Sequence, residues 1–504
     1  MSRVHVGSSR PVLSEMVINH RAGILIFWAL VVMICLPLAL NVGDRLVVAG
    51  EVPGGEATDV KSRISTDFSR SDERILAMVA TGLPDARRAQ EFSARIAADI
   101  GAIDGVSGVD IRKVEASETD SLVLVRFNDT LQDTAALEAL KVATTEVLAH
   151  QLSGDAPTAV YWTGEIAVRE EIITASSEDL RRSETRALPL SFLILCFVFG
   201  AVVAAILPLG VGIASMLLTL AFAWILADYI AVSVMVPSIA SLFGLALGID
   251  YALLVVSQFR KELSETSSSR LAAANTVDKS GKTVLVSGAA VSIGFAGLAL
   301  VPVENLRSIG IAGMAVATFA ALLTTTALPA VLSYLGAGID RGRLWRRRAV
   351  DAGAGWYRWS AYVCDHPWRI ASITAVPLMA LGLLAKDLKA TFPSDSWLPP
   401  HAESIQGLSR LKEMGEAGAM NRLLVLYELP EGVVATQPEA GAALRRLHIA
   451  LNKDKRTQSV RSAASFGMGS GRIVRVPESI VNAYVSSDGR TTLFELTPVP
   501  DLDT

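Results

Sequence analysis

Charge is what this sequence has least of. Only 19% of its 504 residues are Asp, Glu, Lys or Arg, where a soluble domain carries about 25%. The deficit falls in a few long uncharged blocks, which excludes an ordinary soluble globule. Cysteine is scarce too: Cys35 and Cys196 lie inside apolar blocks, Cys364 lies just before one, and no CxxC spacing exists. A disulfide framework is therefore excluded. The six histidines are scattered, with no HExxH, no Walker lysine motif and no metal-ligand spacing. Nothing supports an enzyme, a metal site or a bound cofactor. Aromatic residues make up 6% of the chain and do not alternate with basic ones, so the footprint of a nucleic-acid partner is missing.

What is present is apolar length. About 20 apolar residues cross a hydrocarbon core of about 30 Å. Seven candidate spans follow, at 22–40, 187–206, 208–227, 234–257, 283–303, 308–335 and 369–386. The block 187–227 is too long for one crossing and reads as breaking near Leu207-Pro208. The first block, behind Arg21, reads as an uncleaved anchor rather than a signal peptide. It is long for an h-region, and no small-x-small site follows at once.

Basic residues set the direction. Arg3, Arg10 and Arg21 lie in the N-terminal segment 1–21, Arg260 to Lys282 carry the loop 258–282, and Arg341 to Arg358 the linker 336–368. With seven spans all three fall on one side, expected to be the cytoplasmic side of a bacterial inner membrane. Two polar segments, 46–185 and 387–504, then lie outside. In the first, strands are expected at 74–80, 106–112, 122–127 and 159–162, and helices at 84–100 and 131–152. That βαββαβ order is the ferredoxin-like split βαβ pattern. The second gives only βαββ, at 423–429, 439–451, 459–465 and 491–498. The expected fold class is an α-helical polytopic membrane protein with α+β ferredoxin-like outer domains, the second incomplete.

The two outer segments look like copies. Arg74-Ile75-Leu76-Ala77-Met78-Val79 parallels Arg422-Leu423-Leu424-Val425-Leu426-Tyr427, and Leu83-Pro84-Asp85 parallels Leu429-Pro430-Glu431. Arg21 and Arg369, each opening a single span, share the same offset. Completing the repeat would take roughly another 180 residues and about five spans. The expectation is a truncated or split chain, completed by a second polypeptide or a homo-oligomer.

The sharpest chemical feature is Gly248-Ile249-Asp250-Tyr251 in the fourth span. A carboxyl inside a spanning helix costs about 2.5–3.5 kcal/mol on insertion scales. Desolvation favours its protonated form, so Asp250 can load and release protons, with the Tyr251 hydroxyl as hydrogen-bond partner. The plainer alternative is an Asp that only bonds neighbouring helices. Ala240, Gly244, Gly248 and Ala252 form a small-residue stripe suited to close helix packing. Asp250 lies about 200° from Gly248 around the helix, so this span is expected to be buried on both faces. In the fifth span Ser287 and Ser292 are weaker relay candidates, because a serine there commonly bonds its own backbone. The arginines from 341 to 348 read as topogenic, with anionic lipid head groups as a further contact.

The run Gly248-Ile249-Asp250-Tyr251-Ala252-Leu253, followed by Ser257-Gln258-Phe259-Arg260-Lys261-Glu262, resembles the span-four signature of mycobacterial membrane protein large (MmpL) transporters, in the resistance-nodulation-division superfamily. Gly281-Lys282-Thr283-Val284 with Ser287-Gly288 is similar to the start of their fifth span. Val52-Pro53-Gly54-Gly55-Glu56 and Pro393-Ser394-Asp395-Ser396 resemble the segments behind their first and seventh. The resemblance implies proton-driven movement of lipids or other amphiphiles, periplasmic porter domains, and a proton relay on Asp250 and Tyr251, protons being the coupling ion. The family's matching pair in a later span has no counterpart in this sequence. Two other readings stay open: a non-transporting fragment or membrane scaffold, and a proton-coupled protein-export accessory.

Overall fold

The computed structural model describes residues 12–48, 55–68, 74–112, 117, 119–127, 133–150, 157–266, 268–344, 352–385, 398–399, 401–420, 422–466 and 478–499. Val52-Pro53-Gly54, Pro393-Ser394-Asp395-Ser396 and Arg346 to Arg348 lie outside the described residues.

The chain opens with α1 (Val12–Asn19), α2 (Arg21–Leu40) and a short strand β1 (Leu46–Val47). The first polar segment carries α3 (Glu56–Asp67), β2 (Arg74–Thr81), α4 (Ala86–Gly101), β3 (Val106–Arg112), β4 (Ser121–Phe127), α5 (Asp133–His150) and β5 (Ala159–Thr163). A long helix, α6 (Glu165–Phe199), leads into the apolar helices. These are α7 (Val202–Leu226), then after β6 (Val232–Ser233) α8 (Val236–Glu265), α9 (Ser269–Thr276), α10 (Lys282–Ala299), α11 (Glu304–Leu322) and α12 (Leu328–Leu335). Next come α13 (Ala352–Asp365) and α14 (Pro367–Ala385). The second polar segment carries α15 (Glu403–Glu413), β7 (Leu423–Glu428), α16 (Pro438–Asn452), β8 (Thr457–Ser462), α17 (Glu478–Tyr484) and β9 (Thr491–Pro498).

Two compact units result. One comprises Met1–Gly50 and Ser177–Ser394, the other Glu51–Ser176 and Asp395–Thr504. Among the described residues of the first, six helices are long and apolar enough to cross a membrane: Arg21–Leu40, Val202–Leu226, Val236–Glu265, Ser269–Ala299, Glu304–Asp340 and Pro367–Ala385. The chain is a polytopic membrane protein. α6 falls short of that measure because Arg181, Arg182, Glu184 and Arg186 leave it uncharged only from Ala187 onward.

The boundary expected between 187–206 and 208–227 moves. The helix breaks at Gly200, in the left-handed region at φ 67°, and residues 202–206 already belong to α7. Glycine takes that conformation without a Cβ penalty. Pro208 instead rides inside α7, as prolines do in membrane helices where neighbours satisfy the freed backbone groups. Two π-helical turns, Val277–Gly281 and Leu323–Ala327, join α9 to α10 and α11 to α12 without ending the helical path.

Small residues set the packing of this unit. A Cβ on Gly248 would lie 2.5 Å from Gly212 Cα, and one on Gly244 3.0 Å from Met216, so α7 and α8 touch backbone to backbone. The Ser215 hydroxyl sits in this crossing and donates to Gly244 O at 3.0 Å. On the other side a Cβ on Gly313 would lie 2.2 Å from the Phe295 ring, which closes α10 on α11. α2 is fixed to the second π-turn by Trp28 Nε1 donating to Thr326 Oγ1 at 3.0 Å.

The second unit contains two antiparallel sheets. The first has strand order β3-β4-β2-β5 and the second β7-β9-β8. Alternation splits β2 between two cores. Leu76, Met78 and Ala80 pack with Phe92 and Ile96 of α4 and Leu140 of α5. Ala77 and Val79 face the opposite side, against Leu411 of α15 and Met414. The first sheet is therefore covered on one face by a helix of the second polar segment. The debt is returned by α3 of the first segment, whose Ile64 packs with Leu493 and Leu496 of β9.

Candidate functional site

α8 is central because two helices pack tightly on it, yet only part of its circumference is covered. Ala240, Gly244, Gly248, Ala252, Val255 and Phe259 are buried against neighbours. Ser238, Leu242, Ala246, Asp250 and Leu254, each four residues on, form an exposed stripe. The expectation of a helix buried on both faces is corrected here. Helical spacing shows that two faces differ, but it carries no information on which of them meets protein.

Asp250 thus sits in the middle of an uncovered and otherwise largely apolar stripe. Among the described residues no hydrogen bond or ion pair reaches its carboxylate. Tyr251, one residue on, turns the other way and is 7% exposed. Its Oη is buried without a hydrogen-bond partner. The hydroxyl lies 4.0 Å from the position a Cβ would take on Gly288, which itself would be 3.0 Å from Ala321 Cβ. The ring therefore ends at the junction of α8, α10 and α11. The absence of side chain at Gly288 is what leaves room there.

The structure brings Gly288, rather than its neighbour Ser287, against this hydroxyl. Ser287 is exposed on α10 and Ser292 half-buried, and neither makes a hydrogen bond with the described residues. A group not singled out from the sequence is Thr324, fully buried in the second π-turn with its Oγ1 unpartnered. Its neighbours are both engaged: Thr325 donates to Ala321 O at 2.8 Å and Thr326 accepts from Trp28. The sequence signal was a run of three threonines inside an apolar block. Two buried hydroxyls without partners in one helical unit are uncommon, since such groups are normally satisfied.

At the basic end of α8 a second polar cluster appears. Glu262 is 1% exposed and accepts from Gln258 Nε2 at 2.7 Å, Asn275 Nδ2 at 3.1 Å and Lys279 Nζ at 2.6 Å. This clamps α8 to α9 and the first π-turn. From sequence Lys279 reads only as a topogenic charge.

The second unit holds a cavity of about 380 Å³ lined by residues of both its sheets. Asp110, Arg112, Arg126, Arg422, Arg461 and Glu495 line it, so its walls carry both signs of charge. Arg126 pairs with Asp110 at 3.2 Å and Arg422 with Glu495 at 3.6 Å. Among the described residues no cluster of His, Cys, Asp and Glu suited to a metal ion occurs.

Similarity to known proteins agrees with this architecture. The MMPL family model matches residues 54–369. The chain is 27% identical over 443 residues to the mycolic acid-containing lipids exporter MmpL11 of Mycolicibacterium smegmatis, covering 84% of this chain and 46% of that protein. It is 25% identical over 366 residues to the heme uptake protein MmpL11 of Mycobacterium tuberculosis, covering 70% and 38%. It is 37% identical over 190 residues to the trehalose monomycolate exporter MmpL3 of the same species, covering 38% and 19%. The chain spans about half the length, or less, of these relatives. With the family model covering more than half of the sequence, the Asp250-Tyr251 helix included, this chain belongs to the MMPL family.

Proposed function

We propose that this chain acts in proton-motive-force-driven export of lipids or other amphiphilic molecules across the inner membrane, with Asp250 and Tyr251 as the proton relay. The observation that carries this reading is the pair itself. A carboxyl stands alone on an apolar stripe of a spanning helix, and the next residue carries a buried hydroxyl with no partner, turned away from that carboxyl rather than hydrogen-bonded to it as the sequence suggests. An ionisable group costs several kcal/mol in that setting and is retained where it moves charge. A carboxyl facing away from its own bundle can exchange its proton with a second set of helices laid against it. The stripe Leu242, Ala246, Asp250 and Leu254 would be the contact face for such a set, from a complementary chain or a further copy.

In the same reading the C-terminal part of α6 makes a seventh crossing, the charged side chains before Ala187 lying at one membrane border, the N-terminus is cytoplasmic, and the sheets form ferredoxin-like porter domains outside. The β3-β4-β2-β5 order supports this for the first sheet. The cavity of mixed charge between the sheets suits the polar head of an amphiphile. The relatives named as exporters of mycolic acid-containing lipids and of trehalose monomycolate support a lipid as substrate.

The test is an Asp250→Asn chain expressed in its host. Normal membrane insertion with loss of export of the labelled lipid is expected. Export at the normal rate would sink the proposal.

A further inference from the structure

The end of the helical unit opposite Arg45 carries a cavity of about 450 Å³ that the relay does not use. Phe199, Gly200, Arg260, Leu263, Asp340 and Arg343 form most of its wall. Three helices leave their apolar stretches at this level. α6 ends at Phe199, α7 begins at Val202, and α8 meets its first charge beyond Asp250 at Arg260.

The frame is built rather than loose. Gly200 and Gly342 both take left-handed conformations, at φ 67° and 72°. A Cβ on Gly342 would lie 2.9 Å from Val202 Cβ. Val202 N donates to Gly342 O at 3.3 Å and Leu344 N to Gly200 O at 3.0 Å, so the strand-like segment around Arg343 is laced to the α6–α7 turn. Arg260 is held by Phe199 O at 2.8 Å and by Asp340 Oδ1 at 2.7 Å. The Arg343 guanidinium, exposed at the rim, makes no hydrogen bond or ion pair with the described residues. Two guanidiniums against one carboxylate leave the cavity with a net positive wall.

An apolar track leads away from it. Leu190, Leu193, Ile194 and Phe197 of α6 are 53–72% exposed, and Ile206 of α7 is 51% exposed. Acyl chains would lie along that track while a phosphate sits in the cavity. A positive pocket at the end of spans, opening on exposed apolar helix sides, matches a phospholipid better than a soluble ion.

The geometry points to a binding site for the phosphate of an anionic phospholipid, with Arg343 as its main ligand and Arg260 as its fixed base. This is distinct from the exported molecule and stands whether or not the relay does. The full chain in nanodiscs of phosphatidylcholine with equal minorities of phosphatidylglycerol and phosphatidylethanolamine provides the test, with retained lipids counted by native mass spectrometry. Phosphatidylglycerol should be enriched over phosphatidylcholine and phosphatidylethanolamine, and the enrichment should fade with added salt. Arg343→Gln should weaken it about five-fold, the effect of one basic residue at a membrane surface, with an unchanged melting temperature. Ser264→Glu, which adds a carboxylate to the wall, should weaken it as well. Equal retention in wild type and both variants would overturn the site, as would enrichment of phosphatidylethanolamine or phosphatidylcholine instead. A second arm titrates inorganic phosphate into the lipid-free chain in detergent. Arg343-dependent phosphate binding without phosphatidylglycerol enrichment would assign the cavity to a soluble anion and overturn the lipid.

Discussion

At the residue scale, the buried hydroxyls of Tyr251 and Thr324 separate structural from chemical roles. Neither donates or accepts a hydrogen bond among the described residues. Tyr251→Phe therefore removes no native bond, and the thermal midpoint should stay within about 1 °C or rise slightly, because an unsatisfied buried polar group costs about 1–3 kcal/mol. If the hydroxyl serves the relay, export should fall by an order of magnitude or more in the same variant. Thermal unfolding and lipid export measured side by side check both halves. Asp250 itself was legible in the sequence, since a lone acid in an apolar block is conspicuous. Its outward position was not. Around a helix only the pattern of small and large residues is written, and Gly212 of α7, which claims the Gly248 side, lies more than 30 positions away in the chain.

At the element scale, the α7–α8 crossing depends on missing side chains. Gly248→Leu would drive a branched side chain into Gly212 Cα, and even Ala places its Cβ 2.5 Å from that atom. Overpacking of this kind costs about 1–3 kcal/mol. A lower yield of folded chain in detergent is expected for Leu, with a smaller loss for Ala. A compensating change at Gly212 is unavailable, so no second-site rescue should appear there. α15 offers a second case. The Glu171 carboxylate accepts from Glu403 N at 2.8 Å and Ser404 N at 3.0 Å, capping the helix from outside. Loss of a cap costs about 1 kcal/mol, so Glu171→Ala should raise protease sensitivity between residues 403 and 413, read by limited proteolysis. The strands were legible because alternating apolar residues mark them: 491–498 is found as expected, and β2 gains only Thr81. α3 and α15 were not. Each is short and polar on the exposed side, and each packs on a sheet whose strands belong to the other segment. The Gly200 break also went unread, because a proline in an uncharged block is the louder signal until glycine's φ is known.

At the scale of the whole molecule, the unit that holds the two sheets should respond to pH. Burial holds the His448 imidazole below the usual histidine range, where its Nδ1 faces Ser462 Oγ at 3.0 Å. The folded unit binds a proton on this ring less readily than the unfolded chain, which takes one up near pH 6.5. Its contribution is therefore present above that pH and lost as pH falls below it. Asp454 behaves in the opposite class. The Arg456 side-chain hydrogen bond, with the Arg456 backbone, holds it at about 2. Its contribution is kept above the ordinary carboxylate range and lost only as pH falls towards 2. Melting of the full chain between pH 7.5 and 5.5 should show a decline that His448→Gln flattens. An unchanged slope in that variant would exclude the imidazole as its source.

The exchange of α3 and α15 between the two sheets also has a temporal meaning. The ribosome releases β2 to β5 long before it reaches Leu411, and the transmembrane helices must be threaded through the translocon in between. Until then Ala77, Val79, Leu122 and Leu124 have no lid. The half-made sheet must wait, greasy side open, until α15 is made. Nascent chains arrested before residue 403 should therefore be captured by holding chaperones, and chains arrested far enough beyond residue 420 for α15 to clear the ribosome should escape them.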